Sequence, residues 1–444
     1  MAEPCYKRTN LWNAVECPMG FWQPLIDRFR TQYDIKLIEN PVPRIQKNCT
    51  PDWSRLDPNV QFRSNQREIL EAMLAADRGR IVTPTASGKS FLIQQYVNLL
   101  PKARIIVTSS SQDVLIQLWE NINKVLFGKA GIMCSRKKVN PGARVVCVST
   151  GTLKKYVNFA GEQDVDSIIC DEAHEMGSKL RIELLEHVRE AKMFGLSANV
   201  ERPDKAEFRI NGLFGPVLAK MDYDEAVERG LVTPICIVWC PIRSNYDPSS
   251  HYDNATAREK YGIWRFDLRN KAIADAANLF NEEEQVLITV KTIDHALHLH
   301  RFLPDYQVVY SPKDYKELNK FRYLKGVDKV PTMTKDRLSY VKKQFENGNI
   351  KKVIATGVWS RGVNFPNLSV LIRADAANSV ISDIQWTGRA ARKMENKDVS
   401  LVFDFTDEFS TAFEKKALAR RKRYKEQGWM QMSLGQLKEA AQQE

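Results

Sequence analysis

No apolar run in this 444-residue sequence approaches the length of a membrane span, which argues against a helical integral membrane protein. The first residues show no signal-peptide pattern, so the expected location is the cytoplasm, the host's if the chain is viral. Paired cysteines are missing too: eight are spread singly, and six fall in or beside apolar runs. That pattern suits reduced intracellular thiols rather than a disulfide frame. The closest pair, Cys236 and Cys240, encloses Ile-Val-Trp with no histidine nearby, which argues against zinc. Acidic residues are too few to balance the basic ones, 54 against 66, leaving a net charge of +12 and a pI near 9.2. Such an excess favours a polyanionic partner or simply aids solubility. No internal repeat is visible.

Three short segments stand out against this background, in the order Thr83 to Ser90, Asp171 to His174 and Gln385 to Arg392. The first, Thr83-Pro84-Thr85-Ala86-Ser87-Gly88-Lys89-Ser90, lies between a predicted buried strand ending at Arg80-Ile81-Val82 and a predicted helix from Phe91 to Leu100. Backbone N–H groups at a helix N-terminus favour an anion such as a nucleotide phosphate. Thr85, Ala86, Ser87 and Gly88 would cradle the phosphates, Lys89 would reach the β and γ phosphates, and Ser90 would ligate Mg²⁺. Thr83 stands where a first glycine is usual.

The second segment, Asp171-Glu172-Ala173-His174, follows the short apolar run Val165-Asp166-Ser167-Ile168-Ile169-Cys170, a predicted core strand. Carboxylates at the carboxyl end of such a strand sit where open α/β sheets bind ligands. Asp171 is expected to hold Mg²⁺ and Glu172 to orient or deprotonate the attacking water; alone, the pair would read as a solvated helix start. His174 either links the nucleotide to Ser197 and the DNA side or merely packs. In the third segment Arg389 and Arg392 lie three apart, on one face of a helix, where guanidinium groups suit phosphate oxygens. They lie 300 residues beyond Lys89, in another expected domain, so an arginine finger there would make hydrolysis depend on domain closure. A salt-bridged surface helix is the plain alternative.

Taken together the segments resemble a superfamily 2 helicase or translocase, with further matches from Phe62 to Arg392. Phe62-Arg63-Ser64-Asn65-Gln66 resembles the adenine-reading Q motif, which implies nucleotide contacts from Phe62, Arg63 and bidentate Gln66. Gly195-Leu196-Ser197-Ala198-Asn199 resembles the coupling motif, with Asn199 in place of threonine. The run from Ala355 to Asn364 resembles the motif touching both ATP and nucleic acid; it implies a nucleotide contact from Gly362, with Asn364 where many members carry aspartate. Gln385 joins Arg389 and Arg392 as an implied catalytic residue. Within the superfamily the compact phosphate loop and the Gly357-Val358-Trp359-Ser360-Arg361-Gly362-Val363 run are most similar to the phage UvsW-type branch-migration helicases. That resemblance implies ATP and Mg²⁺ as cofactors, DNA as partner, and branched substrates such as forks and four-way junctions.

The expected fold is α/β, two tandem RecA-like parallel-sheet lobes. Residues 1–60 form a small accessory module, DNA-binding or a packing cap; 61–235 form the first lobe, 236–406 the second, and 407–444 a basic tail. Between Lys313 and Arg337 a loop-like stretch carries eight basic and four acidic residues, interleaved with Tyr315, Phe321 and Tyr323; it either grips or splits DNA or is ordinary solvated surface. In the tail, Lys415, Lys416, Arg420, Arg421 and Arg423 are candidate phosphate contacts on a helix docked through Phe413, Leu418 and Tyr424. Thr108, Thr150 and Thr356, each expected just after a strand, are further candidates for backbone contacts. An RNA helicase or an ATP-gated clamp that does not unwind are the alternatives.

Overall fold

The computed structural model describes residues 48–63, 65–84, 87–160, 165–176, 191–198, 207–359, 365, 367–377, 399–440 and 442, together with the backbone of a short hairpin pairing Lys7–Arg8 with Val15–Glu16. The chain divides into two units, Met1–Glu225 and Ala226–Glu444. Most of the expected N-terminal module lies outside the described residues. Its last part, from Asn48, caps the first unit: Cys49 is buried in the core, the Asn48 amide donates to Asp166, and the Asp52 N–H donates to the Leu99 carbonyl.

The first unit is built on β1 (Arg78–Val82), β2 (Ile105–Ser109), β3 (Gly131–Met133), β4 (Lys138–Val139), β5 (Val145–Ser149), β6 (Ser167–Asp171), β7 (Lys192–Ser197) and β8 (Val217–Lys220). Their order is β8-β1-β7-β6-β2-β5-β3-β4, parallel except for the β3–β4 pair. Continuous apolar strands bury both faces. Ile105 and Val107 belong to the core on one side of the sheet, and Ile106, between them, to the core on the other, as the two-residue period of a strand requires. Helix α1 spans Gln66–Ala75, α2 Lys89–Leu99 and α3 Gln112–Val125. In α3, Leu115, Leu118, Trp119 and Ile122 are buried at helical spacing, and Ser111 caps the start by accepting from the Val114 N–H.

The second unit carries β9 (Ile235–Ile242), β10 (Val286–Thr289), β11 (Gln307–Val309), β12 (Lys352–Ala355), β13 (Val370–Arg373), β14 (Ser400–Asp407) and β15 (Met430–Ser433). The order is β11-β12-β10-β13-β14-β9-β15, all in parallel register. Its helices include α4 (Asp267–Ala277), α5 (Ile293–His300) and α6 (Thr411–Glu426).

Two expectations change here. Residues beyond 407 are no appended tail, because β15 pairs with β9 and extends the second sheet. The stretch from Lys313 to Arg337 is not a loop either: it holds a helix at Tyr315–Lys320 and short turns at Pro312–Asp314 and Val327–Lys329, anchored by buried Leu318, Phe321 and Val327. Six described cysteines are buried free thiols, Cys236 and Cys240 among them. No described helix is long and apolar enough to cross a membrane.

Candidate active site

Parallel register brings the carboxyl ends of β1, β7 and β6 to one edge of the first sheet. Val82 pairs with Ser197 and Asp171 with Leu196, and the Thr83 N–H donates to the Ser197 carbonyl at 3.1 Å. The three segments that follow these strands are therefore neighbours, although more than 80 residues separate Lys89 from Asp171.

The phosphate loop is tied from inside. Ser87 Oγ donates to Thr83 Oγ1 at 2.8 Å, so the threonine that replaces a glycine has a partner across the turn. Gly88 opens α2 with φ of 96°, a left-handed conformation that L side chains rarely adopt; a Cβ there would also run into the Gln66 amide. Lys89 Nζ donates to the carbonyls of Thr83 and Pro84, each at 2.9 Å. These carbonyls hold the ammonium over the loop, where phosphate oxygens would offer stronger, charged acceptors. Ser90 is exposed one residue further on. Thr85 and Ala86 lie outside the described residues.

Gln66 departs from expectation. It is buried, with Oε1 accepting from the Arg63 N–H and Nε2 donating to the Ser87 carbonyl. Both ends of its amide are engaged, so it braces the phosphate loop rather than presenting a free bidentate face to adenine. Phe62 packs edge-on against Phe91, with centroids 5.6 Å apart, and Arg63 is exposed.

Asp171 closes β6 and is 6% exposed. Burial, and then the neighbouring Glu172 carboxylate, push its carboxyl up to about 7 against the pull of Lys89. Two carboxylates at this strand end, with the exposed hydroxyl of Ser90 one residue after Lys89, are hard oxygen donors of the kind that suit a divalent cation such as Mg²⁺. Glu172 sits at φ of 55°, an uncommon conformation for a residue with a Cβ and one that concentrates at functional sites. Its Oε2 accepts no hydrogen bond among the described residues and faces His174 Nδ1 at 3.4 Å. His174 lies on the short turn Ala173–Met176, and its Nδ1 is 2.9 Å from Ser197 Oγ. The carboxylate pair is thus joined to the end of β7 by one imidazole.

One contact was not legible in the sequence. Ser110, just after β2, donates to Glu175, which locks the β2 loop onto the turn carrying His174. The only sequence signal was a polar residue after a strand, which is common.

Among the expected nucleic-acid contacts, Thr150 follows β5 and is partly exposed. Thr108 is withdrawn: it lies inside β2, with 0% exposure. Thr356 follows β12 as expected but is 6% exposed, which leaves little of it for a phosphate. Arg420 is also withdrawn. It is 1% exposed and bonds both oxygens of Asp404, at 2.9 and 3.0 Å. Lys416 pairs with Glu259 at 3.0 Å, whereas Lys415 and Arg421 are exposed and Arg423 is partly so. Phe413 and Tyr424 dock α6 as expected, but Leu418 is 49% exposed. Gly362, Asn364, Gln385, Arg389 and Arg392 lie outside the described residues.

Comparison with known proteins follows the same division. Residues 59–202 match the family model described as type III restriction enzyme, res subunit, and residues 268–394 match the helicase conserved C-terminal domain. The chain is 24% identical over 412 residues to the ATP-dependent DNA helicase uvsW of Enterobacteria phage T4, covering 89% of this chain and 76% of that one. It is 22% identical over 361 residues to the DNA 3'-5' translocase XPB2 of Sulfurisphaera tokodaii, covering 77% and 81%. The structure of S. cerevisiae Dbp5 bound to RNA and ADP BeF3 has the same fold, with a TM-score of 0.56, 14% identity, and coverage of 85% of this chain and 91% of that one.

Proposed function

Because the chain belongs to the superfamily 2 helicases, ATP-dependent enzymes, we propose that it is a DNA translocase that remodels forks and four-way junctions by branch migration or unwinding. The observation that carries this reading is the single chain of contacts at one sheet edge, from Lys89 through Thr83 to Ser197 and on through His174 to Glu172, beside Asp171. A site for hydrolysis and a lever toward the nucleic acid meet there. The similarity to uvsW supports DNA as the partner. So does a surface groove of about 540 Å³ lined by Leu418, Arg421, Lys422, Lys425, Trp429 and Gln431, which offers cations to a phosphate backbone.

In this reading Lys89 and the backbone of the Ser87–Ser90 turn bind the β and γ phosphates. Ser90 and Asp171 hold Mg²⁺, which when bound neutralises phosphate charge. Glu172 orients the attacking water and takes its proton, while Gln66 keeps the loop in shape. Arg389, Arg392 and Gln385 act on the transferring phosphate, and Gly362 and Asn364 complete the nucleotide contacts. His174 reports the state of the Glu172 carboxylate to Ser197. Thr150, Lys415, Arg421 and Arg423 meet the DNA backbone rather than its bases, as suits a motor that moves over any sequence.

The coupling role has its own test. Ser197→Ala removes the hydroxyl that meets His174, a hydrogen bond worth about 1 kcal/mol. DNA-independent ATP hydrolysis should stay near wild type while strand displacement per ATP falls by up to about tenfold. Equal losses in both assays would reduce Ser197 to a structural part.

The substrate is tested by steady-state ATP hydrolysis with a four-way DNA junction, linear duplex, single-stranded DNA and matched RNA, beside Lys89→Ala. The junction should stimulate most, and the mutant should lose the response. Stimulation mainly by RNA would move the protein to the RNA helicases. Tight ATP-dependent binding without strand displacement would make it a clamp.

A further inference from the structure

Five side chains from three separate segments of the second unit form a continuous ladder that the motor motifs do not explain. Tyr252 and Tyr261 stack face to face, with centroids 4.4 Å apart and planes 6° apart. The Arg265 guanidinium lies 5.9 Å from the Tyr261 centroid and 5.4 Å from that of Phe321. Phe321 continues to Tyr323, 6.4 Å away at 37°, and Tyr323 is 72% exposed.

The ladder is held rather than loosely assembled. Three hydrogen bonds of 2.8 to 3.1 Å to Asp294 fix the plane of the Arg265 guanidinium, and the His298 ring meets the Phe321 edge at 5.8 Å. Tyr261 and its neighbours form a π-helical turn, Lys260–Trp264, an element that recurs at functional sites. A large aromatic ring left in solvent at the end of a fixed cation–aromatic stack gains nothing for the fold from its exposed face.

The stretch that carries Tyr323 holds more basic than acidic residues, with Asp314, Glu317 and Asp328 as its acids up to Lys329. Lys313, Lys316 and Lys325 are exposed and make no ion pair among the described residues. A ring that accepts a flat partner, beside cations that accept phosphates, is the chemistry of a single-stranded nucleic acid site.

We propose that the Tyr252–Tyr261–Arg265–Phe321–Tyr323 ladder is a base-stacking platform for single-stranded DNA, with an unpaired base on the exposed face of Tyr323 and the flanking phosphates on the lysines of the Lys313–Lys325 stretch. The platform rests on the helicase reading and deepens it, since it names where a strand freed at a branch point would be held. Arg265 and Tyr261 are positioning residues: they stiffen the stack, and Tyr323 touches the base.

The test uses the full chain and oligothymidylate, intact or with abasic residues of equal charge, together with a 2-aminopurine probe strand. Tyr323→Ala should weaken binding of the intact strand by about 5- to 100-fold, bind intact and abasic strands alike, and lose the fluorescence quenching seen with wild type. Tyr323→Phe should restore all three, and ATP hydrolysis without DNA should be unchanged in both variants. Equal affinity of wild-type protein for intact and abasic strands would overturn the platform, as would an unaffected Tyr323→Ala, while DNA-stimulated hydrolysis leaves the helicase reading standing. Absence of DNA-stimulated hydrolysis in wild type would instead remove the reading beneath it. A concentration-dependent dimer that Tyr323→Ala abolishes, with strand affinity unchanged, would assign this face to a second copy of the chain and overturn the proposal.

Discussion

Glu172→Gln is expected to cut ATP turnover by about 10²- to 10⁴-fold while leaving nucleotide binding near wild type, the range general-base catalysis typically supplies. The amide keeps the size and hydrogen-bonding shape of the carboxylate but cannot take a proton. The packing should change little, because the side chain is partly exposed and its Oε2 meets His174 Nδ1 at 3.4 Å, a contact that an amide of the same size can keep. The left-handed backbone at this position points the same way, since such strain persists where the surroundings over-determine it. Lys89→Ala should differ in kind: with the ammonium gone, the loss should appear in nucleotide binding as well as in turnover. Steady-state hydrolysis beside binding of a fluorescent ATP analogue separates the two, and a Glu172→Gln protein that still hydrolyses ATP would falsify the assignment.

Arg420→Ala should destabilise the second unit by about 3–5 kcal/mol, the usual cost of breaking a buried ion pair. For a unit of this size that lowers its thermal midpoint by roughly 6–20 °C. Asp404 is 1% exposed and receives Arg420 through two bonds, the Tyr424 hydroxyl at 2.8 Å and Arg373 at 4.0 Å. Burial by itself would raise its carboxyl; the charges of Arg420 and Arg373, with the side-chain hydrogen bonds from Arg420 and Tyr424, outweigh that and hold it below the ordinary carboxylate value. A depressed folded value means that this stabilisation is complete above the unfolded carboxylate value of about 3.9 and is lost as pH falls through the lower folded value. Asp404→Asn should therefore be less stable than wild type at pH 7, the two should converge in acid, and calorimetry across that range reads both. Arg420→Ala should leave the salt dependence of DNA binding unchanged, unlike Arg421→Ala, if the buried guanidinium makes no phosphate contact.

Arg420 also shows where sequence reading stops. It stands in the run Arg420-Arg421-Lys422-Arg423, and composition gives each member the same claim on a phosphate. Helical rotation turns Arg420 inward with Phe413, Ala417 and Tyr424, onto an aspartate of β14 that is 16 residues away in sequence. Thr108 makes the same point on a strand: a β-branched polar residue near a strand end looks like a ligand contact until the strand runs on to Ser109 and buries it. Gln66 was legible as a site residue, but which partner takes its amide was not.

The sequence by itself determined the α/β class, the two parallel sheets and the position of the Thr83–Ser90 and Asp171–His174 segments directly after strands. Those properties rest on local periodicity and on residue types that must directly follow a strand. Tertiary structure decided everything that depends on register between distant strands. It set Ser197 beside His174, turned Arg420 from the surface to the core, drew the supposed tail into the second sheet, and aligned Tyr252, Tyr261, Arg265, Phe321 and Tyr323 into one stack. The reason is that a strand's neighbours are chosen by burial on both faces of a sheet, a property of the whole fold that no short segment contains.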